Sequence, residues 1–326
     1  MGIGNYFRKQ RVFRDRFAEL AKEYRLPAAV LKTDCFLSKL IHGSNPDQYF
    51  AFQFYKLRGR ERRRFVTKRR SEKIEKLCNA APASEIEKIA NKASFNQTFA
   101  AFIHRDWLYA PDSSENDLKE FLKRNRKILI KPANLTQGKG IRLLTEDDLK
   151  DGVSAFWQKA KEEKLLLEEF IRQHPVLSEI NPTSVNTARI CTVRDKAGTV
   201  HVIGASVRGG GPDSIVDNLH SAGVQYPVDV KTGVIIRGGN KNTGERNITV
   251  HPHTGVRMIG LQIPNWDAVI RTVEEAGKLL PHIRYIGWDI AVTETGCEII
   301  EANIQQGSNG MQQDGVGKYR MIMQYV

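Results

Sequence analysis

At 326 residues, 40% hydrophobic and 27% charged, the chain can bury a sizeable core and is long enough for two globular parts. No apolar run approaches the roughly 20 residues of a membrane-spanning helix. The start, MGIGNYFRKQRVFRDRF, lacks a secretory apolar stretch and carries Tyr6 where a myristoylation signal wants Ser or Thr. A net charge of +13 is compatible with nucleotides, phosphorylated sugars, acidic membranes or nucleic acid as partners and does not choose among them. The cysteines Cys35, Cys78, Cys191 and Cys297 are scattered without CxxC spacing, which excludes an obvious zinc site or disulfide framework. A cytoplasmic location is expected, with membrane-peripheral contact left open.

In chain order, residues 1–85 read as a mostly helical, basic N-terminal region. Within it, YKLRGRERRRFVTKRRSEKIEKL (55–77) is predicted as helix, with Phe65 and Val66 the only strong apolar points in its middle and Pro82 closing the region. Basic residues 56–76 are either a solvated helical face or a contact surface for phosphate, anionic lipid or another partner. Aromatic interleaving is absent, so no specific nucleic acid recognition is expected.

From about residue 84 the texture changes. A helix is predicted over ASEIEKIANKASFNQTFAAFI (83–103), then a loop through APDSSEND. Short β runs follow: KILIKP, GIRLL, KLLLEEFI, SVNTARICTV, TVHVIGASVR, GVQYPVDV, GVIIRG, YIGWDIAVT and CEIIEAN, with helices near 146–163 and 267–280. Antiparallel hairpins mixed with a few helices predict an α+β fold over 86–326.

Three constellations carry chemistry. In ILIKPANLTQGKGIRLL (128–144) a strand ends in Lys131, and Gly138 and Gly140 bracket Lys139. Glycines let backbone amides approach an anion and the lysine adds fixed positive charge, so the stretch reads as a phosphate cradle or, equally, as a hairpin turn with an exposed lysine. It is not a Walker loop, since GxxxxGK[ST] is missing. In LLLEEFIRQ (165–173) a leucine strand ends in Glu168 and Glu169, where either backbone groups meet a purine edge while Phe170 and Ile171 line an apolar slot, or the strand simply runs into a helix cap.

The third is GWDIAVTETGCEIIEAN (287–303), read as two strands around a three-residue loop, Glu294 to Gly296, closing on a left-handed glycine bulge. Counting outward places residue 289 opposite 301, and Glu301 and Asn303 share a face. Asp289, Glu301 and Asn303 then converge as hard oxygen ligands suited to magnesium bridged to phosphates. The alternative is a carboxylate pair held by arginines such as Arg284 or Arg189.

In this order, the pieces resemble the ATP-grasp superfamily over roughly residues 90–312. They are similar most of all to its sugar-transfer associated family, through FIRQHPVLSEINPTSVNTARICTV (170–193), VDNLHSAGVQYPVD (216–229), HPHTG (251–255) and GWDIAVTETGCEIIEAN. The resemblance implies two α+β subdomains gripping ATP, a lid at about 117–168 and a metal and substrate subdomain at 169–326. It implies that Lys92 and Lys131 hold ATP phosphates under the Gly138–Gly140 turn, that Glu168, Glu169, Phe170 and Ile171 form the adenine hinge, and that Asp289, Glu301 and Asn303 bind magnesium. Some relatives carry an arginine two residues before the metal-binding Asp. Position 287 is glycine here, so Arg189 is the first choice to neutralise the transferred phosphate, and His174 and Pro175 leave the ribose contact open.

The chemistry so implied is an ADP-forming carboxylate–amine, or carboxylate–nucleophile, ligase using an acyl phosphate, in surface-polysaccharide or secondary-metabolite assembly. A kinase that stops at the phosphorylated product and an ATP-binding scaffold are the alternatives. The expected partners are a small-molecule carboxylate and a nucleophile, an amino acid, amine or sugar derivative. Arg208, Asn218, His220 and Arg320 are candidates for the acceptor pocket, and His251 and His253 are further candidates as catalytic groups. RGGGPDS (208–214) reads either as a flexible surface loop or, equally, as a mobile loop near the site that orders on substrate binding.

Overall fold

The structure is a computed structural model; it describes residues 3–135, 140–212, 223–241 and 245–326, with side chains from residue 11 onward. The N-terminal region is helical: α1 (Ile3–Tyr24), α2 (Ala28–His42), α3 (Pro46–Ala51), α4 (Gly59–Arg62) and α5 (Lys68–Cys78). Phe13, Phe17 and Leu20, at helical spacing on α1, pack with Leu31, Cys35, Tyr49 and Phe50 in a core of their own. Arg62 is buried and grips Asp34 with both guanidinium nitrogens at 2.8 and 2.7 Å, while Tyr49 donates to the same carboxylate at 2.7 Å.

The basic run 55–77 is not one helix. Phe65, Val66 and Thr67 are buried between α4 and α5, and the Thr67 hydroxyl donates to the His42 carbonyl at 2.6 Å. Burying two adjacent apolar residues requires the backbone to leave helical geometry there. Helix 83–103 is likewise divided, into α6 (Ala83–Ala90) and α7 (Lys92–Thr98), because the Asn91 side chain caps α7 by accepting from the amides of Ala93 and Ser94.

A four-stranded antiparallel sheet follows, containing β1 (Trp107–Tyr109), β2 (Ile128–Pro132), β3 (Arg142–Leu143) and β4 (Leu165–Glu169) in the order β1-β4-β2-β3. β1 escaped the sequence reading. Helices α8 (Glu115–Arg124) and α9 (Val153–Glu162) cover one face through Leu118, Phe121 and Phe156 against Ile128, Ile130 and Leu167.

After α10 (Pro175–Ile180) a second antiparallel sheet forms from β5 (Ala188–Arg194), β6 (Val200–Gly209), β7 (Val224–Val228), β8 (Asn240–Lys241), β9 (Tyr285–Thr293) and β10 (Gly296–Asn303). Its order is β10-β9-β5-β6-β7-β8. The expected strand 233–238 is reduced to isolated bridges at Val234 and Ile235. Helix α11 (Trp266–Ala276) and α7 cover one face of this sheet, where Ile286, Trp288 and Ile290 meet Phe99, Val269 and Val273. The opposite face is divided: Cys191, Val193, Ile203 and Tyr285 pack under α5 and the C-terminal helix α12 (Tyr319–Met323), and the remainder is polar. No helix among the described residues is long and apolar enough to cross a membrane.

Candidate functional site

The polar part of that face follows from strand periodicity. On β9 the even positions Ile286, Trp288 and Ile290 enter the core, so Gly287 and Asp289 fall on the other side. On β10, Cys297 and Ile299 are core residues, and simple alternation would send residue 301 into the core with them. A bulge between Ile299 and Glu301 inserts one residue and reverses the faces, so that Glu301 stands directly opposite Asp289 and Asn303 opposite Gly287. The sequence count reached this register by a different path. The loop has two residues, since Gly296 pairs with Thr293, and the bulge lies at Ile300 rather than at the glycine.

The row continues across the sheet: Asp289 pairs with Arg189, and Arg189 with Ser206. Asp289 Oδ1 lies 2.8 Å from Arg189 Nε and 3.1 Å from Arg208 Nη1, and Asn303 donates to its Oδ2 at 3.3 Å. Of the alternative holders, Arg189 is present; Arg284 instead donates to the Arg194 and Tyr325 carbonyls. Arg189 is buried, and desolvation lowers its pKa even though Asp289 opposes the shift. Its Nη1 donates to the Gly287 carbonyl at 3.3 Å and fills the space beside that glycine. Glu301 differs from Asp289: among the described residues no Lys or Arg lies within ion-pair distance of it. It keeps contact with solvent, yet crowding by protein atoms and then the Asp289 charge push its carboxyl above the usual range. Among the described residues no three His, Cys, Asp or Glu side chains gather as a metal cluster; the set is two carboxylates and an amide.

Lys92 acts on this row through its charge, and Lys131 in turn acts on Lys92. Lys131 on β2 forms a buried ion pair with Glu168 on the neighbouring strand β4, diagonal to it in the register. Lys92, the first residue of α7, donates to the carbonyls of Pro132 and Leu135 and so ties the helix to the turn after β2. Desolvation lowers the Lys92 pKa, and Glu301 is the largest charge opposing the shift. The Glu168 side chain turns inward: Arg105 Nη2 at 2.9 Å and Asn96 Nδ2 at 2.8 Å complete its partners. Paired arginine and lysine charges outweigh burial and hold its carboxyl below the ordinary range. As a side chain Glu168 therefore positions Lys131, and any hinge contact from 168 comes from the backbone. Glu169 accepts from the Asp106 amide at 3.2 Å, Phe170 stacks under Lys127 with 3.5 Å from ammonium to ring centre, and Ile171 is buried.

Sequence reasoning missed Arg105. It is fully buried in the loop before β1, and its Nη1 donates to Glu298 of β10 at 2.8 Å and to the Ile299 carbonyl at 3.0 Å. One guanidinium thus joins the Lys131 sheet to the β9–β10 hairpin. A lone arginine in FIHRDW offers no pattern, and its partners lie 63 and 193 residues away.

The RGGG run is not a surface loop over 209–211, where all three glycines are buried. The Gly210 amide donates to Asn186 Oδ1 at 3.1 Å and the Gly211 carbonyl accepts from Asn181 at 2.9 Å. Asn186 in turn is held by Gln173, so part of the 170–193 motif serves as scaffold. His251 is scaffold too: its Nε2 would be 2.9 Å from a Cβ on Gly209, Nδ1 pairs with Thr254, and burial drives its pKa down to about 4. His174 caps α10 by accepting from the Val176 amide. Arg320 is exposed on α12 and, among the described residues, has no ion pair with the Asp289 row. Gly140 adopts φ +73° against Pro132. Gly138, Lys139, Asn218 and His220 lie outside the described residues.

The sequence model of the family described as sugar-transfer associated ATP-grasp matches residues 69–319. No curated protein matches the chain. Among solved structures it is similar to the ATP-grasp ligase PsnB complexed with minimal precursor, at 16% identity over 71% of this chain and 56% of that one, TM-score 0.41. It is similar to N5-carboxyaminoimidazole ribonucleotide synthetase from Thermus thermophilus at 13% identity over 75% and 54%, TM-score 0.47. For the L-amino acid ligase from Bacillus licheniformis the values are 13%, 79% and 53%, TM-score 0.46. The chain aligns with little more than half the length of these proteins.

Proposed function

The chain belongs to the sugar-transfer associated ATP-grasp family, and from that premise we propose that it is an ADP-forming ligase joining a carboxylate to an amine or similar nucleophile. One observation carries the reading: Asp289 and Glu301 stand opposite one another across a single hairpin, beside Arg189 and within the electrostatic reach of Lys92.

The donor set suits magnesium. Asp289, Glu301 and Asn303 offer hard oxygens, and the proton affinity of Glu301, raised first by desolvation and then by its carboxylate neighbour, is what a cation would relieve. These residues would hold magnesium, which would supply charge neutralisation at ATP phosphates. The ammonium groups of Lys131, held by Glu168, and of Lys92, held at the turn after β2, would bind the phosphates. Arg189 and Arg208, both paired with Asp289, would meet the charge of the transferred group. A substrate carboxylate oxygen attacks the terminal phosphorus and ADP leaves. The nucleophile's nitrogen then attacks the acyl carbon, phosphate leaves, and the amine proton goes with it. Positioning and charge do this work, with no protein nucleophile.

Beyond Arg208 the sheet continues as neutral hydrogen-bonding groups: Gln313 donates to Gln225 at 3.2 Å and Gln225 to Ser206 at 2.6 Å. Together with the family's association with sugar transfer, this row favours a hydroxylated, sugar-derived acid in surface-polysaccharide or related assembly. The test is ADP release with magnesium over a panel of sugar acids and amines. Lys131→Ala and Glu301→Gln should abolish turnover; unchanged turnover in both would remove the site assignment. ADP formed from one substrate with a stable phosphorylated product would make the protein a kinase.

A further inference from the structure

Helix α2 is apolar on two sides. Leu31, Cys35 and His42 enter the N-terminal core, whereas Val30, Phe36, Leu37, Leu40 and Ile41 are 44–59% exposed on the opposite arc, extended by Leu26 at 42% just before the helix. A surface helix ordinarily buries its one apolar stripe and turns charge outward. Here a second apolar face, about 22 Å long at 1.5 Å per residue, stands against solvent. An exposed patch of large aliphatic and aromatic side chains of this kind marks an interaction surface.

The charge around it narrows the occupant. Residues 1–80 contain 20 Lys and Arg against 8 Asp and Glu, a net +12 of the chain's +13. Lys32 and Lys39 are exposed at the edge of the α2 face. At its C-terminal end Arg69 donates to the Leu40 and Ile41 carbonyls, and Lys73 and Lys76 continue the exposed face of α5. A second copy would bring the same positive region against itself. The face is a convex helix rather than a groove, which disfavours an inserted acidic peptide. A continuous anionic surface with an apolar interior matches both properties: leucine, isoleucine and phenylalanine enter the headgroup boundary while flanking lysines reach phosphates.

We infer that α2 docks this protein onto an anionic lipid bilayer, lying in the interface plane with Val30, Phe36, Leu37, Leu40 and Ile41 inserted. None of these residues belongs to the ATP-type site, so the surface stands or falls apart from the proposed reaction.

The test uses the full chain and sedimented vesicles of neutral phosphatidylcholine alone or with about one third phosphatidylglycerol. Binding should require the anionic lipid and weaken with salt. Leu37→Glu with Ile41→Glu should cut it about tenfold or more, because two inserted side chains become charged. The melting temperature and its response to magnesium–ATP should stay unchanged. Phe36→Trp should add blue-shifted emission only with anionic vesicles. Equal binding to neutral and anionic vesicles, full binding by the double Glu variant, or no emission shift from Trp at 36 would each overturn the proposal. So would a dimer that the double variant dissolves, which would assign the face to a second copy, or retention of an acidic protein without vesicle binding.

Discussion

Arg189 and Gly287, on neighbouring strands, divide one volume between them: a Cβ on residue 287 would stand 2.7 Å from Arg189 Nη1, and also 2.6 Å from Gln306 Cβ. The arginine therefore depends on the absence of a side chain two positions before Asp289. Gly287→Ala should displace the guanidinium and lower kcat by about 100-fold, the cost typical of a misplacement near 1 Å. Nucleotide affinity should change far less. Arg189→Lys should fail similarly, since an ammonium cannot reproduce the planar fork. Steady-state kinetics on both variants check this, and a Gly287→Ala enzyme with native kcat would refute it.

Glu301 carries the sign of a pH effect. Its folded-state pKa is raised, so ionised Glu301 opposes folding above that pKa, and the penalty disappears as pH falls through it. Glu301→Gln should accordingly raise the melting temperature of the nucleotide-free protein at pH 7 to 8, with the gain shrinking under acid. The same variant should lose stabilisation by magnesium–ATP. Differential scanning fluorimetry across pH 5 to 8 reads both, and a variant less stable than native at pH 8 would contradict the argument.

Arg105 holds two buried carboxylates at once, Glu168 and Glu298. Arg105→Met should cost about 3–5 kcal/mol, because removing one member of a buried ionic group leaves uncompensated charge. Glu298→Gln should cost less and should show non-additivity with Arg105→Met in a double-mutant cycle. Urea denaturation measures both. A loss below about 1 kcal/mol for Arg105→Met would mean the triad is not held as described.

His251, with its pKa near 4 in the fold and 6.5 as the ordinary value, is neutral in the native state. The unfolded chain takes up the proton first, so its contribution is intact above pH 6.5 and lost as pH falls toward 4, by about 3 kcal/mol at that point. NMR titration of the ring checks this; a midpoint above 6 would refute burial as the governing cause.

The α+β class and the hairpin register were legible because strand alternation and glycine-bounded runs are local signals, and Asp289, Glu301 and Asn303 lie within 15 residues. The register was right through two compensating differences, a shorter loop and a bulge at Ile300, neither of which has a composition cue. Helix breaks at Asn91 and at Phe65–Thr67 were hidden because each is decided by a cap or by burial against distant segments. Arg105 and the Asn181–Asn186 support of the glycine run were invisible for the same reason: their partners are brought together only by the finished fold.

Gln312 accepts from the Val66 amide at 2.7 Å and returns a bond to its carbonyl at 3.2 Å, across 246 residues of sequence. During synthesis the basic segment around Val66 leaves the ribosome long before its partner exists. Phe65 packs early against Phe52 and Phe54, but Val66 must wait uncovered until the last strands have formed, which makes the docking of that segment a late, non-local step. Truncation before residue 312 should therefore yield a chain whose early residues are accessible to protease although none of them has been removed.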